Sequence, residues 1–121
     1  YAKESFEKAI SLKKNYIEAH TNLGTIFLKL EKFNDAESCF KKAIKFNPRF
    51  AEAHYNLAIT QAKQFKYKDA EISYKNAIKY KSNFQEAENN LKKILRQNKL
   101  LLDMEMENAQ IMNYLKIIPL Y

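Results

Sequence analysis

The chain has 121 residues, a formal net charge of +7, one Gly, two Pro and a single Cys. This length allows an apolar core without disulfides or metal, and one Cys excludes an internal disulfide and any multi-cysteine zinc site. So few turn residues argue against a β-rich chain and favour long helices with short connections.

No apolar run reaches the roughly 20 residues that a membrane-spanning helix needs, so no membrane span is expected. The single Cys and the absence of a recognisable targeting pattern favour a cytoplasmic location.

A period of 34 residues organises most of the chain. EAHTNLG at 18–24 returns as EAHYNLA at 52–58 and, less closely, as EAENNLK at 86–92. Internal periods of this size are typical of stacked supersecondary units. We therefore expect an array of similar units.

The predicted elements follow the period in chain order. Each unit has two amphipathic segments, because its apolar residues recur at steps of three and four. The short connection at 31–33 predicts an antiparallel helical hairpin, and Pro48 ends the second helix of its unit. The expected segments are the second helix of a truncated unit at 1–16, complete units at 17–50 and 51–84, a capping first helix at 85–98, and an apolar C-terminal helix at 99–121.

These repeats resemble those of the tetratricopeptide repeat family, in which each 34-residue unit forms helix A, a turn and helix B. The resemblance implies an all-α fold, a right-handed superhelix of antiparallel helix pairs, here with a C-terminal capping helix. The repeats are also similar to those of the O-linked N-acetylglucosamine transferases. The matching residues are Leu23, Gly24, Leu57 and Ala58 in helix A, Ala36, Phe40, Ala43, Ala70, Tyr74 and Ala77 in helix B, and Pro48 in the linker.

Asn22, Asn56 and Asn90 recur inside helix A, where the weak helix propensity of Asn gives no local reason for them. A carboxamide both donates and accepts hydrogen bonds. In the resembling transferases such a ladder lines the concave groove, so the resemblance implies binding of an extended peptide or partner helix. Alternatively, the three Asn bond the backbone of a neighbouring helix or persist from a recent duplication.

Further groove residues are expected at helical spacing, and the basic ones favour an acidic ligand. The glutamates beside the ladder, Glu18, Glu52 and Glu86, are expected to stabilise helix N-termini. The other groove candidates are Thr21, Thr25, Leu28 and Lys29 in the first unit, Tyr55, Ile59, Ala62 and Lys63 in the second, and Lys93 and Arg96 in the third.

A chaperone-binding subfamily of these repeats grips a C-terminal carboxylate through Lys, Arg and Asn side chains. Only the middle contact of that set is present here, so this clamp is not expected. The corresponding residues are Thr21, Thr25, Asn56, Glu86 and Asn90.

No catalytic residue, metal site or cofactor is expected, since the chain has no phosphate loop, nucleophile motif or carboxylate pair. His20 and His54 lie one repeat apart and are predicted to pack as flat rings. Cys39, beside Phe40, is predicted to be inert.

The last segment is too apolar to remain in water. It could cap the chain's own stack, dock onto another copy to form a homodimer, or lie in the groove. Its apolar side comprises Leu101, Met104, Ile111, Leu115 and Ile118.

Three functions follow from these patterns. The favoured one is a non-catalytic scaffold that binds a protein or peptide. The second is binding of RNA or another polyanion, because residues 1–102 carry 20 Lys/Arg against 11 Asp/Glu, although most of the lysines have the spacing of solvated helix faces. The third is a structural oligomerisation module that uses residues 99–121.

Overall fold

The computed structural model describes residues 2–118, except for the side chains of residues 2, 3, 6 and 10. Five α-helices and no strand occur in this range, which confirms the all-α prediction. Tyr1 and residues 119–121, at the ends of the predicted first and last segments, lie outside it. The helices are α1 (Ala2–Lys29), α2 (Phe33–Phe46), α3 (Ala51–Lys63), α4 (Tyr67–Tyr80) and α5 (Gln85–Ile117).

The helices form the stacked antiparallel pairs that the sequence predicts. α1 packs on α2, α3 packs on both α2 and α4, and the first part of α5 packs on α4. Ala87 and Ile94 of α5 are buried, so residues 85–98 pack at the end of the stack.

Both helix pairs turn in the same way although neither turn contains Gly. Glu31 and Phe65, one repeat apart, have φ angles of 58° and 63°. The N–H of Lys32 bonds to the Phe27 carbonyl at 2.9 Å, and that of Lys66 to the Gln61 carbonyl at 2.8 Å. This six-to-one bond is the usual way to close a helix end around a left-handed residue.

Small residues set the spacing between paired helices. Ala36, Ala43, Ala70 and Ala77 are completely buried, and so is the Phe40 ring between them in sequence. A Cβ added to Gly24 would lie only 2.7–2.9 Å from three carbons of that ring. The helix pairs therefore approach closely where the repeat pattern places its alanines and glycine.

Two helices cross boundaries that the repeat pattern predicts. α1 continues through residue 16, and Lys14 stands where Pro48 lies one repeat later. α5 continues through residue 98, and Lys99, the equivalent of the left-handed Glu31 and Phe65, is helical. Residues 2–16 and 99–117 are therefore extensions of longer helices rather than separate ones.

The C-terminal extension does not pack on the body. Every residue from 99 to 118 is exposed. The extension therefore neither caps the chain's own stack nor lies in its groove, which were two of the three expected positions. Within residues 2–118, no helix combines the length and the apolar character needed to cross a bilayer.

Candidate functional site

The candidate site lies on the first helices of successive pairs, α1, α3 and the N-terminal part of α5. We call it the A-helix face and define it by seven residues. Its amides differ in environment, since Asn22 is exposed and Asn56 and Asn90 are half-buried. The seven residues are Thr21, Asn22, Thr25, Tyr55, Asn56, Ile59 and Asn90.

One side-chain bond links two of these helices. Asn90 Nδ2 on α5 donates to Tyr55 Oη on α3 at 3.2 Å. Within residues 2–118 no side-chain hydrogen bond engages the amides of Asn22 or Asn56. The structure thus brings Tyr55 and Asn90 together, and it leaves two of the three amides open to a ligand.

Tyr55 is held in place by aromatic neighbours. Its ring centroid lies 4.9 Å from that of Phe84 and 6.0 Å from that of Tyr74. Burial raises the pKa of Tyr55, and burial also raises the pKa of Tyr74 to about 12. Both phenols therefore stay neutral at neutral pH, and Tyr55 offers a fixed ring and hydroxyl beside the amides.

The Tyr55–Asn90 bond was not predicted from the sequence. The signal for it was a separation of one repeat plus one residue, because that spacing places the two residues on adjacent first helices. Thr21 and Asn56 have the same spacing, but Thr21 Oγ1 instead donates to the Ile17 carbonyl at 2.8 Å. The shorter Thr side chain satisfies itself on its own helix.

The two predicted groove threonines are weaker candidates than expected. Thr25 Oγ1 donates to the Thr21 carbonyl at 3.0 Å, so both hydroxyl protons are used within α1. Only their acceptor lone pairs remain for a ligand.

Several other groove candidates have a structural role or stay in solvent. Leu28, Ile59 and Ala62 are half-buried and pack against the two core clusters. Lys29 and Lys63 lie in the last turns of α1 and α3, where a cation complements the helix dipole. The exposed basic candidates are Lys29, Lys63, Lys93 and Arg96.

Two of the three recurring glutamates lie where helix N-termini favour them. Glu52 and Glu86 are in the first turns of α3 and α5, and Glu52 also pairs with Lys81 at 2.8 Å. Glu18 does not fit this expectation, because α1 has no break there and Glu18 lies in its interior.

The histidines pack against aromatic rings. The His54 ring centroid is 5.5 Å from that of Tyr80, and His54 Nε2 is 2.8 Å from the Pro48 carbonyl oxygen. The His20 ring meets Tyr16 edge-on at 4.2 Å. Among residues 2–118, no three His, Cys, Asp or Glu side chains are grouped to hold a metal.

Cys39 is buried on α2. Burial also raises the pKa of its thiol, which keeps the group protonated and weakly nucleophilic.

A second polar cluster lies on α2, away from the A-helix face. Glu37 bonds to Lys41 at 2.6 Å and to Lys66 at 3.1 Å, beside an open groove of about 490 Å³. Burial acts to raise the pKa of the Glu37 carboxyl, but the two ammonium groups outweigh it and lower that pKa to about 2. Two of the lysines that line this groove are therefore paired with an acid.

Comparison with known proteins agrees with this geometry. A family model described as tetratricopeptide repeat matches residues 17–50, and a second model with the same description matches residues 39–72. No curated protein sequence matches the chain.

Among solved structures, the chain is similar to the first tetratricopeptide repeat domain of Spaghetti (RPAP3) bound to the HSP90 peptide SRMEEVD. The TM-score is 0.68 at 23% sequence identity, and the match covers 81% of this chain and 83% of that one. At this identity the similarity shows the fold. The two family-model matches identify residues 17–72 as tetratricopeptide repeats, and the stacked helix pairs and repeated turn geometry agree with that assignment.

Proposed function

We propose that the chain is a protein-interaction module that binds an extended peptide across the A-helix face and performs no catalysis itself. The observation that carries the proposal is the recurrence of Asn22, Asn56 and Asn90 on the three first helices, two of them with open amides. The Spaghetti domain, which shares the fold, is bound to a peptide.

The amides can hold a peptide by its backbone. An Asn side chain matches both groups of a peptide bond, since it donates and accepts at once. Asn90 uses one N–H on Tyr55, which orients its amide. Each bond contributes about 0.5–1.5 kcal/mol net, so apolar contacts must add to them. The half-buried Tyr55 and Ile59 can supply such contacts.

The side chains around the amides favour an internal peptide segment over a C-terminal carboxylate. Thr21, Thr25 and Glu86 stand where the carboxylate-gripping subfamily has other residues, and Glu86 would repel a carboxylate. Exposed bases such as Lys63 and Lys93 border the face and suit acidic side chains on the peptide. The expected ligand is therefore an extended segment with some acidic residues.

The test is a screen of an immobilised random-peptide array that includes acidic sequences, followed by fluorescence anisotropy on the selected peptide. The double variant Asn22→Ala, Asn56→Ala should weaken binding by about tenfold, which is the loss of two net hydrogen bonds. Asn76→Ala is the matched control, because Asn76 is a half-buried amide on α4, a second helix of a pair. The Asn76→Ala variant should bind the selected peptide with the same affinity as the unmodified chain.

Two outcomes would contradict the proposal. If the double variant and the control bind the peptide with equal affinity, Asn22 and Asn56 do not belong to the binding site. If the double variant also has a lowered melting temperature, the two asparagines have a structural role instead. Binding of an RNA homopolymer that collapses between low and physiological salt, without any peptide selected from the array, would favour the polyanion function.

A further inference from the structure

The exposed C-terminal part of α5 carries a regular apolar seam. The members of this seam are separated alternately by three and four residues, which is the a/d spacing of a coiled coil. Five of the six members are apolar and the sixth is an Asn near the centre. The six, which we call the seam, are Leu101, Met104, Asn108, Ile111, Leu115 and Ile118. Leu101, at 38% exposure, borders a groove that it shares with α4, and the other four apolar side chains are 52–58% exposed.

The seam residues are too large for the C-terminal segment to pack as the second helix of the third unit. In the first two units the corresponding positions hold the completely buried alanines Ala36 and Ala70, but here Met104 is present. Ile111 likewise stands where Ala43 and Ala77 are completely buried. Side chains of this size would hold the paired helices too far apart.

The partner position on the first helix is also changed. Phe40 packs over Gly24 in the first unit, whereas Asn108 and Lys92 occupy these two positions in the third. Lys92 is exposed and would have to bury its charge if residues 102–118 folded back. Together with the uninterrupted helix at Lys99, this excludes the usual hairpin for the third unit.

We propose that the seam pairs with the seam of a second copy of this chain, as an antiparallel two-stranded coiled coil, and that the chain forms a dimer through it. In this arrangement a positions face d positions of the partner helix. Leu101 faces Ile118 of the partner subunit, Met104 faces Leu115 of the partner subunit, and Asn108 faces Ile111 of the partner subunit. Each seam residue therefore faces a seam residue of the partner helix, along the whole length of the seam.

Charge favours the antiparallel direction. Residues 1–102 carry 20 Lys/Arg against 11 Asp/Glu, so each repeat body has a formal charge of +9. A parallel pair would place the two bodies side by side and would align the acids of 103–107 with themselves. An antiparallel pair separates the bodies by the length of the seam, about 27 Å for 18 residues, and aligns those acids with a segment that contains Lys116.

Asn108 is the one polar member of the seam. In the antiparallel pair it faces Ile111 of the partner subunit, so it weakens the two central layers and adds no hydrogen bond across the pair. The proposal is independent of peptide binding, because the seam and the A-helix face share no residue.

Light scattering of the full chain over a range of concentrations tests the proposal. We expect twice the chain mass of 14.3 kDa. Ile111→Asp should raise the dimer dissociation constant by about 100-fold or more, because it places two charges in the apolar seam. Met106→Asp is the matched control: Met106 is as exposed as Ile111, at 57% against 55%, but lies off the seam. This variant should remain dimeric.

Disulfide trapping tests the direction. Chains carrying Leu101→Cys, mixed with chains carrying Ile118→Cys, should form a mixed disulfide, while neither variant should crosslink with itself. Self-crosslinking of Leu101→Cys would overturn the antiparallel arrangement in favour of the parallel one. A monomer at all concentrations, or loss of the dimer in Met106→Asp but not in Ile111→Asp, would overturn the seam itself. Circular dichroism of each variant confirms that the helices are retained.

Discussion

Ser73 Oγ donates a hydrogen bond of 2.6 Å to Gln61 Oε1 between α4 and α3, and both side chains are buried. One repeat earlier, Phe27 and Cys39 occupy the same two positions. The second unit thus replaces an apolar pair by a hydrogen-bonded polar pair. A buried Gln is tolerated at this helix-pair contact because its oxygen has a donor.

Ser73→Ala should destabilise the chain by about 1–3 kcal/mol, because it leaves the buried Gln61 oxygen without a donor. The double variant Gln61→Phe, Ser73→Cys copies the pair of the first unit and should recover most of this loss. Urea unfolding of Gln61→Phe, of Ser73→Cys and of the double variant gives the coupling energy between the two positions. Strictly additive effects would show that the two side chains do not act as a pair.

Gly24→Ala should destabilise the chain by about 1–3 kcal/mol, although Ala is the better helix former. The new Cβ would lie 2.7–2.9 Å from ring carbons of the completely buried Phe40, which has no room to move. Thermal unfolding measures the effect. Adding Phe40→Leu makes room for the Cβ, so the double variant should cost less than the sum of the single ones. A raised melting temperature for Gly24→Ala would contradict the close approach of α1 and α2.

Glu31→Gly should stabilise the chain by roughly 0.5–1 kcal/mol. Glu31 has a φ of 58° in the turn between α1 and α2, a conformation that costs an L-residue energy and that Gly adopts freely. Glu31→Ala is the control, because it removes the carboxylate but keeps the Cβ and its strain. If Ala stabilises the chain as much as Gly does, the gain comes from the lost charge rather than from the backbone.

Acid should remove the stabilisation that Glu37 provides. Its pKa is lowered from 4.5 to about 2 in the folded chain, so the contribution is complete above pH 4.5 and is lost as the pH falls towards 2. We expect about 1 kcal/mol, allowing for solvent screening of the exposed lysines that surround it. Melting temperatures of the unmodified chain and of Glu37→Gln should differ at pH 6 and converge near pH 2. Glu105→Gln, an exposed acid on the C-terminal extension, should show no such pH-dependent difference.

The period by itself determined the fold class, the helix pairs and much of the buried core. This is because a recurring pattern of Ala and large apolar residues acts through local helix geometry and through contacts with the next, similar unit. Ala36, Phe40 and Ala43, which match the repeat pattern in helix B, are all buried. The ends of α1 and α5 were not predicted by the period, because both helices run through the repeat boundaries at residues 16 and 98.

Only the tertiary structure decided what the recurring asparagines face. Asn22, Asn56 and Asn90 are identical in sequence register, yet within residues 2–118 only Asn90 makes a side-chain bond to a neighbouring helix. Tyr55 is long enough to reach Asn90, whereas the shorter Thr21 bonds to its own helix. Contacts of this kind depend on side-chain lengths across a helix interface, which no period records. The same holds for Gln61, whose burial makes sense only once Ser73 is placed against it.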